Sequence, residues 1–181
     1  MNVPIINTLI KIINKGHIMK FKKLLLESSL SRIYSLYLKH DSGTISAFRH
    51  NFSKSENLSR SHRLKTILEN KGYSVTKIDG VYIENYKSNN EKEVHEESYI
   101  VIDINDKGDL ETVLRKLGEQ FLQDSITFTK KGGNYELIGT TPYKGENEPW
   151  PGNGKREQLG KPMMGEGGEF YSSIRNRPFK F

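Results

Sequence analysis

The sequence predicts an α+β domain in which two β-α-β-β units form one mixed sheet, with both helices on one face. Residues 44–86 and 98–140 each have the pattern of a strand, a helix and two further strands. This order is typical of two-layer α+β domains. The composition agrees with one small core plus terminal arms, because only 34% of the 181 residues are hydrophobic and the mean hydropathy is −0.66.

The first unit begins with a strand at 44–49, TISAFR. Ser53 and Glu56 then form a capping-box pattern, in which both side chains satisfy backbone amides of the first helical turn. The sequence therefore predicts a helix over 55–71, with Gly72 as its stop.

A β-hairpin is predicted to complete this unit. The runs YSVTKI (73–78) and VYIENY (81–86) are rich in β-branched and aromatic residues, and they flank Asp79 and Gly80. An Asp-Gly dipeptide between two such runs favours a tight two-residue turn.

The second unit has the clearest periodicity in the chain. SYIVID (98–103) is a continuous apolar run, as expected for a strand buried on both faces. A helix is predicted over 109–122, and strands over 125–130 and 135–140 flank a turn at 131–134. The helix carries one apolar stripe, formed by Leu110, Val113, Leu114, Leu117 and Phe121.

Two arms are predicted on either side of the core domain at 41–140. Residues 1–40 contain seven Lys or Arg and one acid, so they are predicted to form a basic, amphipathic helical arm. Residues 141–181 form a Gly/Pro-rich arm with aromatic and Arg residues at its end. The basic arm suggests an acidic partner, either nucleic acid or an acidic protein surface, although the charge also serves solubility. The C-terminal arm suggests contacts with other subunits, which the phage resemblance described below implies are virion subunits.

Membrane and secretory functions are not expected. The apolar run at 3–14 is much shorter than the roughly 20 residues that a membrane span needs, and no small-residue cleavage site follows it. The chain has no cysteine, which fits a reducing compartment. With the phage resemblance described below, this implies a location in the host cytoplasm or in a virion.

No metal or cofactor is expected either. Residues 103–108 resemble the start of a calcium loop, but Leu114 occupies the twelfth position, where an acidic ligand is required. The five histidines show no ligand spacing.

The candidate site is a set of polar residues at the ends of predicted strands and helices. Glu84 and Glu97 are the candidate catalytic bases. The candidate ligand-binding residues are Arg49, Asn57, Arg60, Arg63, Tyr82, Ser98, Gln120, Gln123 and Ser125. Arginines beside a helix N-terminus favour an anion, so the set suggests a cleft for a phosphate-bearing ligand. The alternative, which the sequence favours slightly, is that these residues serve as caps, turn residues and surface ion pairs.

The segment 45–140 resembles a group of small tailed-phage proteins of unknown function. These are similar in turn to a bacterial domain family of unknown function with an ITAWNP-like first strand, an EN element and an FGQ-A/S element. The matching residues are Ser46, Ala47, Glu56, Asn57, Arg63, Gly72, Gly80, Tyr82, Glu84, Glu97, Ser98, Gln123 and Ser125. Phe48 and Arg49 replace the Trp-Asn pair of the bacterial pattern.

The resemblance implies a phage-encoded protein, and three functions remain open. The first is binding of a nucleotide or nucleic acid through its phosphates in the polar cleft. The second is a virion or assembly component whose arms contact neighbouring subunits. The third is an enzyme that uses Glu84 and Glu97.

Overall fold

The computed structural model describes most of the chain from residue 30 onward. The described residues are 30–84, 88–141, 152–165, 170–174 and 177–180, and for Tyr82, Glu84 and Phe170 only the backbone is described. The chain divides into two units, 1–34 and 35–181. The described part of the first unit, residues 30–34, is helical, and the rest of this section concerns the second unit.

Three helices and nine strands are present in the described residues. The helices are α1 (30–37), α2 (Lys54–Asn70) and α3 (Leu110–Gln120). The strands are β1 (Ser42–Ser46), β2 (Ser74–Glu84), β3 (Lys92–Ile102), β4 (Ser125–Thr129), β5 (Tyr135–Gly139), β6 (Arg156–Gly160), β7 (Met163–Met164), β8 (Phe170–Ile174) and β9 (Arg177–Lys180). None of the described helices is long and apolar enough to cross a membrane.

All nine strands belong to one sheet in the order β6-β5-β4-β1-β3-β2-β8-β9-β7. Every described pairing is antiparallel, and the sheet is curled into a half-barrel. The predicted fold class, a two-layer α+β domain with a mixed sheet and helices on one face, is therefore wrong.

The main cause of the error is the predicted turn at Asp79 and Gly80. These residues lie in the middle of β2, where Asp79 pairs with Glu97 on one side and with Ser173 on the other. Because both edges of β2 are paired at this point, the strand continues instead of turning. The glycine serves close packing, since a Cβ atom at Gly80 would lie 2.8 Å from Oγ of Ser98.

The predicted C-terminal arm is also incorporated into the sheet. β6 pairs with β5 at one edge, and β8 pairs with β2 at the other. β9 and β7 extend the sheet beyond β8. Short strands with Gly and Pro nearby are thus stabilised by pairing with an existing sheet, although the composition suggested a segment that cannot fold alone.

The main core lies between the sheet and helices α2 and α3. The predicted stripe of α3 contributes to it, because Leu110, Leu114, Leu117 and Phe121 are all buried there. They pack with Leu64 and Leu68 of α2 and with residues of β1, β3, β4 and β5. The capping box is confirmed, since Ser53 and Glu56 each accept a hydrogen bond from the other's backbone amide.

The opposite face of the sheet is more polar. A row of hydroxyl groups crosses β1 and its neighbours: Oγ of Ser42 lies 2.7 Å from Oη of Tyr135, and the hydroxyls of Thr44 and Thr127 are 2.8 Å apart. Ser46 and Ser98 continue this row towards the end of β1.

Candidate functional site at the polar end of the sheet

Ionisable side chains gather where β1 ends and β4 begins. We call this region the polar end and define it by Ser46, Arg49, Glu96, Glu97 and Asp124. Ser46 is the last residue of β1 and pairs with Ser98, which places the two glutamates of β3 just beyond the end of β1. Successive residues of a strand point to opposite faces, so Glu96 and Glu97 enter different environments.

Glu97 faces the helices and is held by three side chains. Its Oε1 accepts hydrogen bonds from Oγ of Ser61, at 2.6 Å, and from Oη of Tyr99, at 2.7 Å. Nζ of Lys77 forms an ion pair with its Oε2. Burial acts to raise the pKa of Glu97, but the hydrogen bonds from Lys77, Ser61 and Tyr99 outweigh it, and the net shift of the pKa is downward.

Glu96 points to the other face and has the opposite electrostatic character. Burial raises the pKa of its carboxyl group to about 7, against a smaller downward effect of the Ser46 hydrogen bond and the Arg49 charge. The negative charge of Asp124 contributes to the increase. The carboxyl group therefore changes its protonation state near neutral pH, which is the range in which general acids and bases work best.

Arg49 and Asp124 complete the polar end. Nη1 of Arg49 lies 3.1 Å from Oδ2 of Asp124, and the side chain of Arg49 remains 26% exposed. Since this contact uses only one nitrogen of the guanidinium group, its other donors remain geometrically available to a ligand.

Three predicted ligand-binding residues instead anchor the loop after β1. The amide of Asn57 bonds both the N–H and the carbonyl of Arg49, at 2.9 Å each. Arg60 donates to the carbonyls of Ala47, at 2.8 Å, and Phe121, at 2.5 Å. The amide of Gln123 donates to the Phe48 carbonyl at 3.1 Å. These contacts fix the backbone that presents Arg49.

The remaining predicted residues are spread more widely. Arg63 and Gln120 are exposed on α2 and at the end of α3. Ser98 is buried beside Ser46, and Ser125 begins β4 opposite Gly139. The backbone of Tyr82 pairs with β3 and β8, but its side chain lies outside the described residues.

The structure does not bring the two predicted catalytic glutamates together. Glu84 pairs with Lys92, whereas Glu97 pairs with Asp79. The two positions are thus five residue pairs apart along the β2-β3 hairpin, which corresponds to a backbone separation of about 16 Å.

Sequence reasoning missed Glu96 and Asp124. The available signal was the adjacent pair of carboxylates at 96 and 97, immediately before an apolar strand. Strand alternation sends one member of such a pair to each face of the sheet, so both glutamates were candidates for the site. In the part of the chain that the structure describes, no group of three or more His, Asp or Glu is arranged to hold a metal ion.

The pKa values of Glu96 and Glu97 are shifted in opposite directions, and perturbed pKa values are common in enzyme active sites. The comparison with protein families agrees with an enzyme: the model of the S-Adenosylmethionine lyase family matches residues 43–174. The match covers nearly three-quarters of the chain, and the protein belongs to the S-adenosylmethionine lyase family. Comparison with curated proteins finds no match.

Membership of this family overturns the first functional hypothesis, binding of a phosphate-bearing ligand. The geometry supplies the physical reason. The N-terminus of α2, where the anion was expected, is already occupied by the side chains of Ser53 and Glu56. Arg60 is used by two backbone carbonyls. The third hypothesis, an enzyme, agrees better with the family.

Proposed function

We propose that this protein is an enzyme that cleaves S-adenosylmethionine and that the reaction takes place at the polar end. The observation that carries the proposal is the family match, which begins in β1 and ends in β8 and so includes Glu96, Glu97 and Asp124. The charges of the region support it independently.

The polar end is complementary in charge to this substrate. The methionine part of S-adenosylmethionine carries a carboxylate, an ammonium group and a sulfonium ion, one negative and two positive charges. Arg49 offers one positive charge, and Glu96 and Asp124 offer two carboxylates. We assign the substrate carboxylate to Arg49 and the two cationic groups to Glu96 and Asp124.

A lyase breaks the carbon–sulfur bond without water or an oxidant. The sulfur atom keeps the electron pair of the broken bond and leaves as a neutral thioether, so the leaving group needs no proton. The carbon obtains its new electron pair from the carboxylate of the substrate itself, giving a cyclic ester, or from a neighbouring C–H bond, giving an unsaturated amino acid. In the second case Glu96 accepts the proton, which its pKa near 7 permits.

Glu97 is assigned a positioning role. Both of its oxygens are engaged by Ser61, Tyr99 and Lys77, and its side chain is only 13% exposed. It connects α2 to β2 and β3, and so fixes the strand segment from which Glu96 extends.

The direct test is incubation of the purified chain with S-adenosylmethionine in ¹⁸O-labelled water, followed by mass spectrometry. We expect a neutral thioether nucleoside and a second product with no ¹⁸O on the carbon that carried sulfur. Labelling of that carbon would identify a hydrolase, and an unchanged substrate would refute the proposal.

Variants locate the reaction. Glu96→Gln removes the ionisable group with little change in shape, and we expect a loss in kcat/KM of roughly 100-fold or more. Arg49→Gln is expected to raise KM, because it removes the positive charge that we assign to the substrate carboxylate. Glu157→Gln, on exposed β6, is the matched control. If Glu96→Gln and Arg49→Gln both match the wild-type chain, the polar end is not the active site.

The proposed place of action is the cytoplasm of a phage-infected cell, where S-adenosylmethionine is made. The support is the resemblance of 45–140 to tailed-phage proteins. The acidic partner of residues 1–40 and the virion contacts of 141–181 stay predictions, and residues 1–29 lie outside the described part of the chain. Mass spectrometry of infected cells and of purified virions separates the two locations. A fixed copy number in virions would contradict the cytoplasmic assignment.

A further inference from the structure

Leu122 adopts a backbone conformation that leucine rarely adopts. It follows the end of α3 with φ of +57°, in the left-handed region. Its N–H donates to the carbonyl of Glu119, at 3.1 Å, and the N–H of Gln123 donates to that of Gly118, at 2.8 Å. This pair of bonds is the Schellman helix ending, whose left-handed position is usually glycine because a Cβ atom is strained there.

Burial of the side chain does not offset this strain. Leu122 is a large hydrophobic residue, yet it is 56% exposed to solvent. Among the described residues, the other non-glycine residue with positive φ is Asp106, whose short polar side chain tolerates this conformation. Leu122 thus combines backbone strain with exposure of its side chain, and a strained residue of this kind is a starting point for a functional hypothesis.

The backbone around Leu122 is fixed. The carbonyl of Phe121 accepts hydrogen bonds from Arg60, at 2.5 Å, and from the side-chain amide of Gln123, at 3.2 Å. Thr140 donates to the carbonyls of the two residues after Leu122. Its hydroxyl donates to the carbonyl of Gln123, and its N–H donates to the carbonyl of Asp124. Leu122 is thus presented from a rigid support, as a binding contact requires.

Its position in the chain links it to the polar end. Asp124 is two residues further on and contacts Arg49. The side chains that define the polar end are charged or polar, and they suit the methionine half of S-adenosylmethionine. The other half ends in adenine, whose flat face gains free energy when apolar groups cover it.

We propose that Leu122 is the apolar contact for the adenine ring of the substrate and that this contact determines KM. The inference rests on the proposed function and names a specificity-determining residue for it. Removal of the side chain then has opposite effects on stability and on binding, a combination that a purely structural leucine does not produce.

The test compares Leu122→Gly with Leu122→Met. We expect Leu122→Gly to raise Tm by about 2–4 °C, because glycine relieves the left-handed strain. We expect its KM for S-adenosylmethionine to rise roughly tenfold with kcat within a factor of two. Leu122→Met keeps an apolar side chain and should retain the wild-type KM. Ile104→Ala removes an exposed apolar side chain at the opposite end of the sheet and should leave KM unchanged.

Binding of adenosine, measured by titration calorimetry, keeps the inference testable apart from turnover. Weaker binding by Leu122→Gly than by the wild-type chain supports the contact. The inference is overturned if Leu122→Gly and the wild-type chain have equal KM and equal affinity for adenosine. It is also overturned if the two differ in molecular mass by light scattering, because Leu122 would then contact a second copy of the chain. If the wild-type chain does not consume S-adenosylmethionine, the proposed function itself has failed, and this outcome is distinct from a failure of the Leu122 contact.

Discussion

Replacement of Glu96 by glutamine is expected to stabilise the folded protein above neutral pH. The carboxyl group is partly buried on the side of the sheet that carries Ser46, with Arg49 and Asp124 as the neighbouring charges. Burial favours the protonated form, so ionisation at high pH is opposed by the fold. Glutamine has nearly the same shape, but it carries no charge at any pH.

The pKa of Glu96 sets the size and the pH range of the effect. The folded-state pKa is about 7, compared with an ordinary value of 4.5. The folded state therefore binds a proton more tightly than the unfolded state, and the free energy of unfolding falls as pH rises between these two values. At about 1.4 kcal/mol per pKa unit, the full effect is about 3 kcal/mol, absent below the lower value and complete above the higher one.

Urea unfolding at pH 4.5, 6, 7 and 8, which roughly spans the interval between the two pKa values, tests the prediction. The difference in unfolding free energy between Glu96→Gln and the wild-type chain should be close to zero at the lowest pH and should grow to about 3 kcal/mol at the highest. Glu157→Gln, an exposed glutamate on β6, should show no such trend. Parallel curves for Glu96→Gln and the wild-type chain would refute the raised pKa of Glu96 in the folded protein.

Two further predictions concern the contacts that support the polar end. Arg60→Ala should lower the unfolding free energy by about 2–3 kcal/mol in urea titrations, because it removes two charged hydrogen bonds and a stacking contact with Phe52. Arg60→Lys should lose about half as much. An unchanged unfolding free energy in both variants would contradict the anchoring role. Gly80→Ala should lower the unfolding free energy by about 1–3 kcal/mol, because the added methyl group clashes with Ser98. In a double-mutant cycle, Ser98→Gly in the same chain should restore part of that loss, whereas additive losses would exclude the clash.

Local patterns were enough to predict most elements of the fold. The capping box at Ser53 and Glu56 located the start of α2, and the apolar stripe located α3. Both signals depend on neighbours within one helical turn or a few turns, so the sequence contains all the relevant interactions. The same holds for β4 and β5 and the turn at 131–134 that joins them.

Pairing between distant strands could not be predicted in this way. Asp79 and Gly80 have a strong local preference for a turn, but β8, about 90 residues away, pairs with them and keeps β2 extended. The glycine is needed because of Ser98, which is close to it only after β2 and β3 have paired. A local signal was thus overruled by contacts whose partners lie far along the chain.

The candidate site was predictable to a similar extent. Glu97 and Gln123 both lie near the junction of β1, β3 and β4, since polar residues at strand ends tend to converge. Their partners decide their roles, however. Gln123 is used by backbone carbonyls, and Glu97 by Ser61, Tyr99 and Lys77. No sequence pattern indicates which side-chain donors will be free after folding.

The two adjacent glutamates of β3 show how one strand can supply two different chemical groups. Alternation sends Glu97 to two hydroxyls and a lysine, which stabilise its charge. It sends Glu96 to a partly desolvated position, which destabilises its charge. A sulfonium ion bound beside Glu96 would favour the ionised form and lower its pKa. The carboxylate would then become the dominant form when the cationic substrate is present. We therefore expect the pH profile of kcat/KM to report a pKa near 7 and that of kcat a lower value; coincident profiles would place the cation away from Glu96.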